Sequence, residues 1–539
     1  DADDYAPIIA YNKKMSQSGA TFENGLEDVI DVDSWLRGMA YAVMSGAGDN
    51  AGAGSQHNGM YYARPDGRVM FLPHDMDLGL SATRSIFANS ECNKITGNAA
   101  RRRGYLGHLY DICKTTYNNR YMSMWSTHMA SFDSSQPWSS HLSFVNSRSD
   151  NILSQINSQV SPVSFSITTP DPLSVNSSIA SVTGNGWVNV REIRIAGSPG
   201  TLRVTWLDNN SWQVNVPVVP GLNTVTFEAL DFQGRGLGTQ TINVSNTSQI
   251  DPASAVNLAI SEIHYHPLPP TLAETNLGFM DQDLFEFIEL RNVSGNTIDL
   301  TGVQFIEGVE FDFPSGRLLT PGEPILTVRD THAFRTRYAA VSVGAIAGEF
   351  ANDTGLRDSG ERLHLIAADG STIANFTYSD DFPWPEDADG NGRSLIYITD
   401  DPERADNWRN SATVGGNPAE NDSVPFVGNP LADDDNDGLT ALMEHFLGTD
   451  DTSELSGPGT FVLTITPTGT VRVSFPRDLA ADDVVFTVDG SDDLMTWSIE
   501  EAFFYSETAN LNGTSTVTYE LLQPLSAGIG FARLVVQLR

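Results

Sequence analysis

Two textures of hydrophobic and polar positions divide this chain. Up to about Val160 the apolar residues recur at helical spacing, as in WLRGMAYAVM (35–44) and HLYDICKTTYNNRYMSMWSTHM (108–129). A period near 3.6 predicts amphipathic helices, here with a little strand between them. From Ser161 the period drops to two, in short runs broken by Gly, Pro and Asn. That alternation predicts half-buried strands joined by tight turns. The runs WVNVREIRIAG, TLRVTWLDNNSWQVNVPV and GLNTVTFEALDFQGRGLGTQTINVSN predict a seven-strand sandwich of roughly ninety residues. Trp212 is its expected core residue and Gly221-Leu222-Asn223 an expected turn. Residues 255–425 read the same way, as does the tail 457–539 with FVLTITP, VRVSFPR, VVFTVDGSDDLMTWSIEE, STVTYELL and FARLVVQL.

The expected fold class is multidomain: an α/β part first, then several all-β sandwiches. The boundaries are 1–160, 161–250, 255–425, a loop-and-helix linker at 428–455, and 457–539. Pro and Gly clusters at 161–172, 249–252 and 415–430 supply the joints, so the modules are expected to be strung along the chain.

Composition narrows the setting. The chain has 539 residues, 40% of them hydrophobic, enough for packed cores. Sixty-eight acids against thirty-one bases give −37, which argues against nucleic acid or anionic membranes as partners. Lys13, Lys14, Lys94 and Lys114 are the only lysines. An acid-rich, lysine-poor surface suits salty, calcium-bearing surroundings where charge is screened, so a secreted or cell-surface location is expected. The start at Asp1 rather than Met suggests processing. No apolar run approaches the roughly 20 residues of a membrane span. Cys92 and Cys113 are the only cysteines, and outside the cell they are expected to form one disulfide; two buried thiols are the alternative.

Candidate chemistry lies in two places. The first is 31–80, where Asp49, Asn58 and the pair Asp75-Met76-Asp77 offer hard oxygen ligands of the kind Mg²⁺ takes beside phosphates. With Gly67 between them, this framework resembles the CotH kinase family of secreted atypical kinases. The chain departs from that family in placing His57 before the Asn and His74 before the Asp pair. The resemblance implies that Asp49 is the catalytic acid, that Asn58, Asp75 and Asp77 hold Mg²⁺, and that ATP is the donor. It also implies a nucleotide-gripping half well upstream of Asp31, whereas only thirty residues precede that position here. Lys13 and Lys14, in the polar run YNKKMSQSG, read as a helix end rather than the expected strand Lys. The chain alone is therefore expected to be inactive, with its own upstream segment as a possible partner. A degenerate lobe, in which the Asp pair is only a turn, is the competing reading. The triplet Arg101-Arg102-Arg103 suits either a phosphate clamp or, in preference, a solvated turn.

Asp433, Asp435, Asp437, Gly438 and Glu444 occupy loop positions 1, 3, 5, 6 and 12 of an EF-hand calcium loop. Alternate carboxylates converge on one cation, Gly permits the sharp turn, Glu closes the sphere, and the Leu439 carbonyl adds a ligand. A single loop followed by a helix resembles the calcium loops of dockerins and thrombospondin-type linkers.

In 255–425, Ile260-Ser261-Glu262-Ile263 and Glu286 to Asn292 resemble the first two strands of a lamin tail domain, an immunoglobulin-like sandwich. The module at 161–250 resembles immunoglobulin-like domains of bacterial surface proteins. The tail resembles C-terminal modules of large secreted proteins from planctomycete–verrucomicrobial bacteria. His264 and His266 beside Glu262 suggest a metal site, although strand-edge histidines are the preferred reading; Asp387 to Gly392 resembles a calcium loop but has Ile398 where Glu is required.

Three functions compete: a surface mosaic that binds or displays, with calcium stiffening a joint; a CotH-type phosphotransferase; and a carbohydrate-binding accessory whose Trp384, Trp408 and Trp497 stack on sugars. Expected partners are other cell-surface proteins or extracellular polysaccharide. No Ser-His-Asp order, zinc spacing or Walker loop is present.

Overall fold

The computed structural model describes residues 5–55, 57–457, 461–491, 493–499, 502–521 and 531–539. The chain is multidomain, a helical α/β part followed by many β-sheets, and it divides into two compact units, Asp1–Ser248 and Gln249–Arg539.

The first unit opens with α1 (Ala6–Ser16), α2 (Ala20–Glu23) and α3 (Val32–Met44). Lys13 and Lys14 do lie in the last turn of α1. Asp31 caps α3 by accepting from the Ser34 N–H, and the helix buries Trp35, Leu36, Met39, Ala40 and Val43. A hairpin of β1 (Gly59–Ala63) and β2 (Val69–Pro73) packs on α3, Phe71 inward, with Gly59 opposite Pro73 at its open end. Then come α4 (Ser90–Ile95), α5 (Ala99–Thr115), α6 (Asn119–Ala130) and α7 (Trp138–Gln159).

Next is a sandwich of two four-stranded sheets. Its strands are β3 (Ser166–Ile167), β4 (Leu173–Val175), β5 (Ile179–Asn185), β6 (Glu192–Ile195), β7 (Thr205–Trp206), β8 (Ser211–Pro217), β9 (Gly221–Leu230) and β10 (Gly236–Asn246). The sheet orders are β4-β10-β9-β6 and β3-β5-β8-β7. The fold thus has one strand more than expected, and Gly221 to Asn223 start β9 rather than forming a turn; the Asn223 side chain reaches back to the Val219 backbone. Trp212 is fully buried at the centre, as expected.

The lobe and this sandwich are not loosely strung. The run WVNV, read as strand, is a loop that carries Trp187 and Val188 into the core of the lobe. Arg103 is buried and donates to the carbonyls of Trp187 and Val190, both at 2.6 Å, with its guanidinium 3.1 Å from the Trp206 ring centroid. Arg101 ion-pairs with Glu23. The arginine triplet is therefore helical and partly buried, neither a solvated turn nor a phosphate clamp. A Cβ on Gly107 of α5 would lie 2.5 Å from the Phe232 ring, so only glycine admits this approach.

Both cysteines are free and buried, and the expected disulfide does not form. Cys92 lies against Tyr105, whereas Cys113 contacts the Ser149 carbonyl on α7. Tyr105 and Cys113 are two turns apart on α5, about 12 Å at helical rise, so the two thiols have different neighbours.

In the second unit, the strand Leu258–His264 pairs antiparallel with Phe287–Asn292 inside a six-stranded sheet, with a bulge between Ile260 and Glu262. A four-stranded sheet, with Gln304–Glu307 next to Arg362–Ile366, covers it across a core that includes Ile263, Leu290, Phe305, Leu365 and Phe376. Trp384 and Trp408 belong to this core, 8% and 4% exposed, packed against each other with Trp408 on Phe376. They cannot stack on sugars as expected. Trp497 lies half-buried under the Arg533 guanidinium.

The last module pairs a four-stranded sheet with the hairpin-like pair Val484–Ser491 and Phe531–Leu538. The helix Ala441–Leu447 is part of this module, since Leu442, Phe446 and Leu447 enter its core beside Val473 and Phe475. Its connection to the preceding sandwich is a packed seam. Arg409, 1% exposed at its side chain, holds Asp422 at 2.6 Å and Asp482 at 2.5 Å. The Val424 N–H donates to the Ala480 carbonyl and the Phe426 N–H to Asp483. The joint expected at 415–430 is thus built into one body by buried charge pairing that no Pro/Gly count reveals.

Candidate functional site

The loop 433–444 folds around its own carboxylates. Asn436 and Gly438 take left-handed backbone angles, φ +63° and +99°, which turn the chain sharply. Asp435 accepts from the Asp437 N–H, Asp433 from the Gly438 N–H and Asp437 from the Leu439 N–H. These bonds use one oxygen of each carboxylate. The other oxygens, Asp433 Oδ1, Asp435 Oδ2 and Asp437 Oδ2, are buried without a partner, as is Glu444 Oε2. Ligand atoms of the three aspartates lie within 4.8 Å of one another, the one such cluster among the described residues. Glu444 is 1% exposed and comes from the helix that follows, its second oxygen accepting from Thr449. Burial, with Asp435, Asp437 and Asp451 nearby, pushes its carboxyl above the usual range. Buried, unpartnered anionic oxygens cost several kcal/mol unless a cation meets them. The donor set, all hard oxygens, fits Ca²⁺.

The second group sits at the open end of the β1–β2 hairpin. The His74 N–H donates to the Asn58 carbonyl, and Asn58 Nδ2 donates to the Asp49 carbonyl at 2.6 Å. The Gly48 N–H donates to the Leu78 carbonyl, so Asp49 and Asp77 flank one backbone bond. Asp77, within hydrogen-bonding reach, holds the Asp75 carboxyl up, and Asp49 adds to the effect while His74 opposes it. Asn58 and Asp75 both adopt φ near +50°, at +58° and +46°. The structure therefore brings Asp49, Asn58, Asp75 and Asp77 to one exposed end of the hairpin, with His57 3.9 Å from Asp49. The carboxylates are wider apart than those of the loop at 433–444. The donor set, carboxylates with an amide oxygen, is made of hard oxygens of the kind Mg²⁺ takes.

The other sequence candidates have structural partners. His264 is buried against Phe287 and held neutral by burial, its pKa lowered to about 3. His266 bonds Asp389 at 2.5 Å and faces Asp358 at 3.6 Å. Glu262 accepts from Ser394 and the Asn417 N–H. Glu262 and the two histidines thus do not share a metal. Asp387 accepts from the Ala509 N–H, so the loop 387–392 spends its carboxylates on packing. Sequence reading missed the cleft between α3, β2, α5 and the β9–β10 turn, about 740 Å³, lined by Arg37, Tyr41, His108, Asp111, Arg191 and Gln233. Its residues lie far apart in the chain and carry no local signature.

Residues 1–135 match the family model "CotH kinase protein", and residues 251–380 match "Lamin Tail Domain". The chain is a mosaic carrying both. Neither match reaches the loop 433–444 or the final module. No curated protein matches the chain. Among solved structures it is similar to SGBP-B of the Bacteroides ovatus mixed-linkage glucan utilization locus, in complex with a mixed-linkage heptasaccharide, at 12% identity and TM-score 0.12, over 33% of this chain and 50% of that one. The chain thus spans about half of that protein. It is also similar to the YadV chaperone (7% identity, TM-score 0.15, 40% and 100% covered) and to InvD of Yersinia pseudotuberculosis (10%, 0.12, 70% and 83%). Similarity at these TM-scores carries no argument. Among the described residues no helix is long and apolar enough to cross a membrane.

Proposed function

We propose that this CotH–lamin-tail mosaic is a secreted or cell-surface protein whose β-modules bind or display partners and whose C-terminal module is stabilised by Ca²⁺. One observation carries the reading: four buried carboxylate oxygens, from Asp433, Asp435, Asp437 and Glu444, have no partner. Asp433, Asp435 and Asp437 hold the ion by one oxygen each, Glu444 closes the site, and the Leu439 carbonyl completes it. Bound calcium offsets part of the loop's negative charge and fixes the start of a helix whose other face is core. Calorimetric titration with Ca²⁺ tests this. One site in the wild type, lost in Asp435→Asn, is expected; unchanged heats in that variant would remove the reading.

The acid group of the CotH-like lobe supports a second reading, the metal-holding half of a phosphotransfer site. Asn58, Asp75 and Asp77 would hold Mg²⁺, which neutralises phosphate charge, and Asp49 would orient the acceptor hydroxyl. No lysine stands ready to grip a nucleotide there. Lys14 and Lys94 cap backbone carbonyls, Lys114 lies over Tyr110, and Lys13 ends α1. The chain alone is expected to show no ATP-dependent labelling; labelling abolished by Asp75→Ala would overturn that expectation.

A further inference from the structure

We propose that Arg148 of α7 positions the acid group of the CotH-like cleft, an inference that rests on the metal-holding reading of that cleft. Arg148 is fully buried, yet no carboxylate pairs with it. Both terminal nitrogens of its guanidinium reach main-chain carbonyls from two segments: Nη2 donates to Val43 at 2.7 Å, and Nη1 to Arg84 at 2.5 Å and Ala82 at 3.2 Å, while Nε is buried without a partner. The first segment, at the end of α3, leads five residues later to Asp49. The second follows Asp77.

These segments are laced together. The Ser81 N–H and Arg84 Nε both donate to the Gly46 carbonyl, and the Gly48 N–H to Leu78. Gly46 has φ +62°, and a Cβ there would lie 2.3 Å from the Ser81 oxygen, so the segments touch without slack. Gln155, two turns beyond Arg148 on α7, donates to the Arg84 carbonyl and accepts from the Ile86 N–H. A buried cation without a counter-charge is expensive. A planar fork that reaches three carbonyls on two strands of chain fixes their register as an ammonium cannot. Asp49 and Asp77 lie one residue beyond the Gly48–Leu78 bond on either side, so that register sets how far apart their carboxylates stand. Arg148 touches neither of them, and it lies outside residues 1–135.

The test is Mn²⁺ binding to the full chain by electron paramagnetic resonance, since Mn²⁺ takes the hard-oxygen ligands that suit Mg²⁺. Asp75→Asn separates this site from the loop at 433–444 and should remove one Mn²⁺. Arg148→Met should weaken that same ion at least tenfold with the far-ultraviolet circular dichroism unchanged. Arg148→Lys should fall between the two, and serves if the Met variant does not fold. If Arg148→Lys binds as tightly as wild type, or the folded Met variant does, Arg148 is only structural and the proposal fails. If Asp75→Asn loses no Mn²⁺, the metal-holding reading itself fails.

Discussion

Glu444→Gln should change stability in opposite directions with and without calcium. With about 10 mM Ca²⁺ and the affinity of roughly 10⁻⁴–10⁻³ M common to extracellular modules, binding to the folded form contributes about 1.4–2.7 kcal/mol. Leu442, Phe446 and Leu447 of the following helix are buried in the core, about 1.5–3 kcal/mol each. That exceeds the linkage term, so chelation should weaken the module without unfolding it. For a cooperative unit of this size, the melting point should fall by roughly 3–11 °C in EGTA. In calcium, Glu444→Gln should reproduce that fall, because the closing carboxylate is gone. In EGTA it should melt above wild type. The folded Glu444 carboxyl is raised above its unfolded value, so its charge destabilises the fold at neutral pH, and Gln removes that charge. Differential scanning calorimetry in both buffers reads the crossing. A variant that melts below wild type in both, or a wild type indifferent to EGTA, would refute the calcium argument.

Burial, with Glu289 beside it, pushes the Glu262 carboxyl up to about 8 from 4.5. The fold therefore binds that proton more tightly than the unfolded chain, and the Glu262 contribution to stability should decline as pH rises from about 5 to about 8, then level off. Glu262→Gln keeps an acceptor for Ser394 and Asn417 and should flatten part of that slope in urea unfolding; Glu286, raised to about 9, keeps the rest. Arg103→Met leaves the Trp187 and Val190 carbonyls without their donor, about 1–3 kcal/mol each, and should split the melting of the first unit into separate lobe and sandwich transitions. Cys92 and Cys113, pushed up to about 12 and about 11 by burial, should not react with Ellman's reagent until the chain unfolds, and reductant should leave the melting point unchanged.

What the sequence made legible is what neighbours in the chain decide. The paired strands at 258–264 and 287–292 were legible through the motifs Ile260 to Ile263 and Glu286 to Asn292, whose residues are neighbours in the chain. The convergence of Asp433, Asp435 and Asp437 was legible because they fall within five residues and spacing alone aims them. The acid group at 49–77 was legible as residues, since hairpin closure between Gly59 and Pro73 gathers whatever flanks it. Other features depend on distant partners. Trp384 sits in an irregular segment and Trp408 at the start of a three-residue strand, and only the packing of Phe376 on Trp408, and of Trp408 on Trp384, makes them core. Trp187 reads as a strand residue until the lobe is present to receive it. Cysteine spacing says nothing about which faces of α4 and α5 the thiols occupy.

The same distinction explains why modules expected to be strung out are packed. Pro and Gly mark where regular structure stops, not whether the flanking surfaces meet. At Arg409 two aspartates, from residues 422 and 482, close on one buried guanidinium. At Arg103 a guanidinium from the lobe caps carbonyls of the next sandwich. In each case an arginine supplies several donors across a seam between two modules, and breaking it leaves buried groups unpaired. A seam of that kind transmits strain. Calcium bound at 433–444 would act on a helix that is core to the last module, and Arg409 joins that module to the lamin-tail sandwich. Stability gained at the loop is therefore expected to appear in the melting of the lamin-tail sandwich as well, and Arg409→Met should confine it to the last module.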